Sequence, residues 1–230
     1  MPGARRPPWS VVCDFDGTIA LEDVTDTLLL RFARPGWRDL EAAWEAGRIS
    51  ARTCMAGQVA LLDCSREELD DFLTSVEIDP CFAQFAATVA ALGWQLVVVS
   101  DGIDHVCRSI LQRYDLGRLP IFANRLVQVT DRRWVLDFPY ARAGCAAGHC
   151  KCDHAIEVAK AGPVLLIGDG MSDFCVARQA DFVFARGRLR EHCEASGIAF
   201  EVVEDFARAT RLLARLSHRA PTATVTALFR

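Results

Sequence analysis

No run in the chain approaches the roughly 18 consecutive apolar residues that a membrane-spanning helix needs. A basic excess is also missing. The 26 Lys and Arg against 30 Asp and Glu leave a formal net charge of −4, which gives no electrostatic footprint for nucleic acid. No block of like charge marks an interaction tail, and there is no internal repeat. The opening Met1–Ser10 is rich in Pro and Arg without an apolar stretch, so it reads as a short disordered lead and not as a secretory signal. These absences imply a soluble, cytoplasmic protein with neither a membrane nor a nucleic acid as partner. What is present is ordinary globular material: 230 residues, 51% hydrophobic and 24% charged. That length suits one domain, or one carrying a smaller insertion, and it buries a core without crosslinks or structural metals.

Ten cysteines would suggest disulfides in a small secreted chain, but this one is neither small nor visibly secreted. Seven of them (Cys13, Cys54, Cys64, Cys81, Cys107, Cys175 and Cys193) are scattered singly, mostly among apolar neighbours, as reduced core thiols are. Cys145, His149, Cys150 and Cys152 form the exception. Their ligand types suit zinc, yet Cys150 and Cys152 are one residue apart and no second pair follows at finger spacing. A tight loop with small thiol side chains is the plainer reading.

Ser10–Cys13 reads as a buried strand running into a turn at Asp14-Phe15-Asp16-Gly17-Thr18. Four helices are expected between Asp23 and Val76, the last opened by a capping box at Ser65-Arg66-Glu67-Glu68. After Asp79-Pro80 helix and strand alternate. The pattern gives a helix over Phe82–Leu92, a fully buried strand over Gln95–Val99, and a helix from about Asp104 to Tyr114. A strand at Ile121–Ala123 and a hairpin of Arg125–Thr130 with Arg133–Phe138 follow. Helix Lys151–Lys160, strand Val164–Ile167, helix Ser172–Gln179, strand Phe182–Phe184, strand Phe200–Val203 and a helix from Asp205 to about Leu216 complete the series. This is an α/β chain with a doubly wound, Rossmann-like parallel sheet. The boundaries drawn are 10–22 with 78–217 for the sheet domain, 23–77 for a helical insertion, and 218–230 for a disordered tail.

Ligands gather beyond the carboxyl ends of such strands, and the polar clusters fall there: Asp14 and Asp16, then Ser100-Asp101-Gly102, then Asp169 and Asp173. Side chains two apart in a turning segment share a side, so Asp14 and Asp16 could share a metal or divide nucleophile and acid/base roles. Turn chemistry or helix capping would explain either acidic pair alone. Phosphoryl transfer needs an attacking oxygen, charge neutralisation and a proton for the leaving alkoxide. Carboxylates in this number suit Mg²⁺. Ser100-Asp101-Gly102 is expected where a helix begins, with a hydroxyl and free N–H groups forming a phosphate cradle or, more plainly, an N-cap. Lys151 also opens a helix, an unfavourable end for a cation unless an anion lies beside it.

Asp14-Phe15-Asp16-Gly17-Thr18, Ser100, Lys151 and Gly168-Asp169-Gly170-Met171-Ser172-Asp173 resemble, in order, the four motifs of the haloacid dehalogenase superfamily. The resemblance runs from about Val11 to Asp205. It implies a Mg²⁺-dependent phosphatase acting on a small phosphorylated metabolite, as a monomer or homodimer. Asp14 would be the nucleophile, passing through an aspartyl-phosphate, and Asp16 the general acid/base. Asp14 and Asp169 would bind the metal by side chain, Asp16 by its carbonyl, with Asp173 in support. Ser100, with Asp101 and Gly102 beside it, and Lys151 would hold the phosphoryl group.

The helical insertion resembles the C1 cap of the phosphoserine-phosphatase-like branch, which implies substrate selection by its entry residues Glu22, Asp23 and Thr25. The Trp37 and Trp44 region, the Cys-rich loop and Phe184-Ala185-Arg186 look like the phosphatases of methionine salvage, which act on 2-hydroxy-3-keto-5-methylthiopentenyl-1-phosphate. Other features resemble phosphoserine and phosphocholine or phosphoethanolamine phosphatases, and a silent phosphate-ligand-binding protein is the reading from another class. Two positions depart from the pattern: Asp101 stands where many relatives have Gly, and Asp23 where phosphoserine phosphatases carry Glu.

Overall fold

The computed structural model describes residues 7–159 and 162–218. The residues after His218, the first six, and the end of the helix expected to reach Lys160 lie outside the described residues. In chain order the elements are β1 (Ser10–Cys13), α1 (Val24–Phe32), α2 (Trp37–Glu45), α3 (Ala51–Ala60), α4 (Arg66–Leu73), α5 (Phe82–Ala91), β2 (Gln95–Ile103), α6 (Asp104–Arg113), β3 (Ile121–Thr130), β4 (Arg133–Asp137), α7 (Lys151–Ala159), β5 (Val164–Gly168), α8 (Phe174–Ala177), β6 (Phe182–Ala185), α9 (Gly187–Ser196), β7 (Phe200–Val202) and α10 (Phe206–His218). A 3₁₀ turn, Met171–Asp173, precedes α8. The strands make one sheet in the order β4-β3-β2-β1-β5-β6-β7; β1 pairs in parallel with β2 and β5, β5 with β6 and β6 with β7, while β3 and β4 form an antiparallel hairpin. Among the described residues no helix is long and apolar enough to cross a membrane.

The chain forms two compact units. Of the described residues, the first takes 7–14, Asp79–Val98, 151–159 and 162–218; the second takes Phe15–Ile78 and Val99–Cys150. The helices α1–α4, expected as an insertion of their own, therefore cluster with α6, β3 and β4.

In the first unit β1 is the middle of the parallel array, in register with β2 from Ser10↔Gln95 to Cys13↔Val98 and with β5 from Ser10↔Val164 to Cys13↔Ile167. Covered on both faces, β1 and β5 read as unbroken apolar runs instead of alternating ones. Beside the sheet, Phe206 of α10 meets Phe82 and Phe85 of α5 at ring-centroid distances of 4.8 and 5.0 Å. The buried Asp79 carboxylate sets both helix starts, accepting the N–H of Cys81 at 2.8 Å and that of Phe206 at 2.9 Å. Asp79→Ala orphans both donors, and urea unfolding should show a loss of about 2–4 kcal/mol; a loss within error would mean that water replaces the carboxylate.

In the second unit, the chain leaving Asp16 and the chain returning to Ile78 are joined by a bridge between Ala20 and Ile78. The expected capping box is present: Ser65 accepts the Glu68 N–H at 3.1 Å while Glu68 accepts the Ser65 N–H at 2.7 Å. The buried Trp134 of β4 donates to the Cys64 carbonyl at 2.9 Å, which ties the hairpin to the loop before α4. Arg52 of α3 donates to the carbonyls of Arg142, Cys145 and Ala147, so one guanidinium holds the Cys-rich loop.

Three expected boundaries moved. The strand at Ile121–Ala123 and the hairpin arm Arg125–Thr130 are one strand, β3. β2 continues through Ser100, Asp101 and Gly102 instead of yielding to a helix there. The helix expected over Ser172–Gln179 is a 3₁₀ turn with one short α-helical turn after it. α9 was not expected at all.

Candidate active site

In the first unit β1 ends at Cys13, and the next residue, Asp14, still donates its N–H to the Ile167 carbonyl at 2.9 Å. The nucleophile candidate is thus an extension of the central strand. β5 ends in Gly168, and the tight 3₁₀ turn that follows brings Asp173 back over it. Asp173 Oδ2 accepts the N–H groups of Asp169 at 3.2 Å and Gly170 at 3.3 Å. A Cβ at position 168 would fall against that carboxylate, so glycine there is a matter of space.

Asp14, Asp169 and Asp173 each offer a carboxylate oxygen within 4.8 Å of the others, the single such group of three among the described residues. Lys151, 1% exposed at the first position of α7, places Nζ 2.8 Å from Asp14 Oδ2 and 2.8 Å from Asp173 Oδ1. A lysine at this end of a helix opposes the dipole, and here two protein carboxylates supply the anion that the position calls for.

Asp14 is 5% exposed, Asp169 half-buried and Asp173 fully buried. Burial pushes the Asp14 carboxyl well above the usual range and the Asp173 carboxylate pushes the same way, while Lys151 opposes both. Burial alone would lower the Lys151 pKa, but Asp14 and Asp173 reverse this, and the amine is held protonated. Hard carboxylate oxygens gathered at this spacing fit a divalent cation such as Mg²⁺.

A second cluster lies in the second unit. Asp16 Oδ1 accepts the N–H of Val24, the first residue of α1, at 3.0 Å, so a helix N-terminus fixes this carboxyl. Ser100, 1% exposed, accepts the Gly102 N–H at 2.9 Å through its hydroxyl. The cradle expected from free N–H groups at a helix start is therefore a hydroxyl inside a strand, with the Gly102 N–H already used. Asp101 turns elsewhere: its Oδ1 accepts the His149 N–H at 2.7 Å and the Asn124 side-chain amide at 3.3 Å. Asp23 is the N-cap of α1, accepting the Asp26 N–H at 3.0 Å, and Glu22 accepts the Thr27 hydroxyl at 3.1 Å. Both acids are exposed.

The structure thus brings Asp14, Asp169, Asp173 and Lys151 together in one unit, and Asp16, Ser100 and Gly102 with Thr25 in the other. Sequence reasoning missed the parts played by Val24, Asn124, His149 and Arg52. The first acts through a backbone N–H, and the rest act through contacts distant in sequence, which no local pattern reveals.

The model of haloacid dehalogenase-like hydrolases matches residues 11–178. The chain belongs to that family. This haloacid dehalogenase-like hydrolase is 33% identical over 202 residues to a 2-hydroxy-3-keto-5-methylthiopentenyl-1-phosphate phosphatase of Exiguobacterium sp. strain AT1b, covering 85% of this chain and 93% of that one. A protein of the same description from Brevibacillus brevis is 30% identical over 208 residues, covering 87% and 93%. Among solved structures, a phosphoserine phosphatase carrying a phospho-aspartyl intermediate analogue superposes with a TM-score of 0.69 at 17% identity, covering 92% of this chain and 99% of that one; this likeness shows the fold. With relatives so similar along most of both chains, the reaction class of this haloacid dehalogenase-like hydrolase is hydrolysis of a phosphoric monoester.

Proposed function

We propose that this phosphatase works through an aspartyl-phosphate on Asp14, with Mg²⁺ bound by Asp14 and Asp169, and that its substrate is 2-hydroxy-3-keto-5-methylthiopentenyl-1-phosphate in methionine salvage. The observation that carries the reading is the group of Asp14, Asp169 and Asp173, whose carboxylate oxygens gather within 4.8 Å of one another beside Lys151.

The steps follow from the chemistry of each side chain. Asp14 attacks phosphorus as the ester oxygen leaves, and Asp16 gives that oxygen its proton. Asp16 then takes a proton from the water that opens the acyl-phosphate. Lys151 keeps its charge throughout and offsets the transferring oxygens and the nucleophile together. Ser100 contributes its hydroxyl to the phosphoryl oxygens. Asp173, fixed by two N–H groups and Lys151, and the carbonyl of Asp16 would support the Mg²⁺ held by Asp14 and Asp169. Bound Mg²⁺ supplies Lewis-acid neutralisation of the phosphoryl charge. Asp101 braces the loop that leads to Lys151 and does not itself touch phosphate. The helices of residues 23–77 act as the selecting module. The substrate is borrowed from the relatives' names, since core residues that bind phosphate and metal treat every monoester alike.

Chelator should abolish phosphate release from p-nitrophenyl phosphate, and Mg²⁺ should restore it. Ca²⁺ should substitute poorly, because its looser coordination misplaces the nucleophile. Mg²⁺ should also raise the melting temperature, and more so near pH 8 than near about pH 5. Asp14 has a raised pKa in the folded, metal-free protein, so its contribution to stability is present at low pH and is lost as pH rises through that value. A cation at the carboxylates returns it. Full turnover in chelator, or a Mg²⁺ effect on melting that shrinks as pH rises, would count against the metal site.

A further inference from the structure

Two threonines sit in the first turns of α1, and they behave differently. The Thr27 hydroxyl donates to the Asp23 carbonyl at 3.0 Å, the back-bond that threonines in helices commonly make. Thr25 makes none: its Oγ1 is buried and has no hydrogen-bond partner in the protein. A hydroxyl taken out of water without a partner is unfavourable, and buried polar groups of this kind call for an explanation.

The place Thr25 faces supplies one. A Cβ built on Gly102 would fall against Asp16 Oδ2, 3.0 Å from Ser100 Oγ and 3.5 Å from Thr25 Oγ1. Three side-chain oxygens therefore converge on the bare Cα of one glycine, in a niche that any larger residue at 102 would fill. Two of them have tasks in the reaction. Asp16, held through its other oxygen by the Val24 N–H, protonates the leaving oxygen. Ser100 meets the phosphoryl group. Thr25 has no such task, although it shares the niche with the acid that touches the leaving group. The neighbouring entry acids are otherwise engaged: Asp23 caps the helix and Glu22 holds Thr27.

We propose that Thr25 is a specificity-determining residue whose hydroxyl hydrogen-bonds an oxygen substituent on the carbon next to the phosphate-bearing carbon of the substrate. The substrate class is then the phosphate ester of a vicinal diol or enediol. This rests on the reading of Asp16 as the acid at the leaving oxygen, because an oxygen one carbon further along lies beside that same carboxyl. It also fits a 1-phosphate bearing a 2-hydroxyl, as in the substrate named for the relatives. A threonine serves this purpose well, since its hydroxyl both donates and accepts and so matches either a hydroxyl or a carbonyl.

The test compares kcat/KM for propane-1,2-diol 1-phosphate and n-propyl phosphate, which differ by one hydroxyl, with p-nitrophenyl phosphate as the measure of the chemical step. The wild-type enzyme should prefer the diol ester by about tenfold or more, because the unmet Thr25 hydroxyl penalises the ester that lacks a partner. Thr25→Val, nearly isosteric, should erase that preference, and Thr25→Ser should keep most of it. Equal rates for the two propyl esters in the wild-type enzyme, a comparison that needs no variant to fold, overturn the inference. So does a preference that survives in Thr25→Val. No turnover of p-nitrophenyl phosphate by the wild-type enzyme with Mg²⁺ overturns the mechanism and this inference together, whereas turnover without diol preference overturns this inference alone.

Discussion

Asp14→Asn should lower kcat by at least about 10⁴-fold while the protein stays folded, because an amide of the same shape cannot attack phosphorus. The substitution is nearly silent for packing: Asp14 keeps its backbone N–H bond to Ile167, and the side chain changes by one atom type. It also removes one of three crowded carboxylates, and the relief of like charge should show as an equal or higher melting midpoint. Beryllofluoride with Mg²⁺ should inhibit the native enzyme by imitating the acyl-phosphate and should leave no comparable mark on Asp14→Asn. Substantial turnover by purified, folded Asp14→Asn would remove the covalent mechanism.

Lys151→Ala should have the largest effect on stability. The side chain is 1% exposed and its ammonium is bonded to both Asp14 and Asp173. Removing it leaves like charges facing one another without water, and breaking a buried ion pair from one side costs about 3–5 kcal/mol. Three features separate this loss from an ordinary cavity effect. Mg²⁺ should recover a larger share of stability in Lys151→Ala than in the native protein, low pH should recover part as well, and Lys151→Met, which fills the space without the charge, should fare little better than alanine. A methionine variant of native stability in chelator would mean that the carboxylates do not need the ammonium.

Much of this site was legible because its chemistry is concentrated at strand ends, where short apolar runs stop at acidic turns. Asp14, Asp16, Asp169 and Asp173 stand out there against Val11–Cys13 and Val164–Ile167. The four helices of residues 23–77 were legible from caps and apolar spacing. β2 was cut short because Ser100-Asp101-Gly102 carries residues that strands disfavour; burial of Gly102 and Ile103 outweighs that preference. α9 escaped notice because only Leu189 and Cys193 of its ten residues are buried, one contact per turn in a charged segment. Asp101 is grouped with the phosphate-holding residues by sequence because the donors to its carboxylate, His149 and Asn124, are 48 and 23 residues away.

The placement of Asp14 on the middle strand has a further consequence. Its amide is bonded to Ile167, and β1 is flanked on both sides by parallel neighbours that would have to part before that bond opens. Amide hydrogen exchange at Asp14 should then proceed through global unfolding alone, whereas Val24, whose N–H holds Asp16 from the first turn of a nine-residue helix, can exchange by local fraying. In the proposed mechanism the nucleophile Asp14 is anchored in a slowly opening strand array, and the acid Asp16 at a helix end that opens more readily. Mild denaturant or warming should therefore disturb proton transfer well before it disturbs the position of the nucleophile.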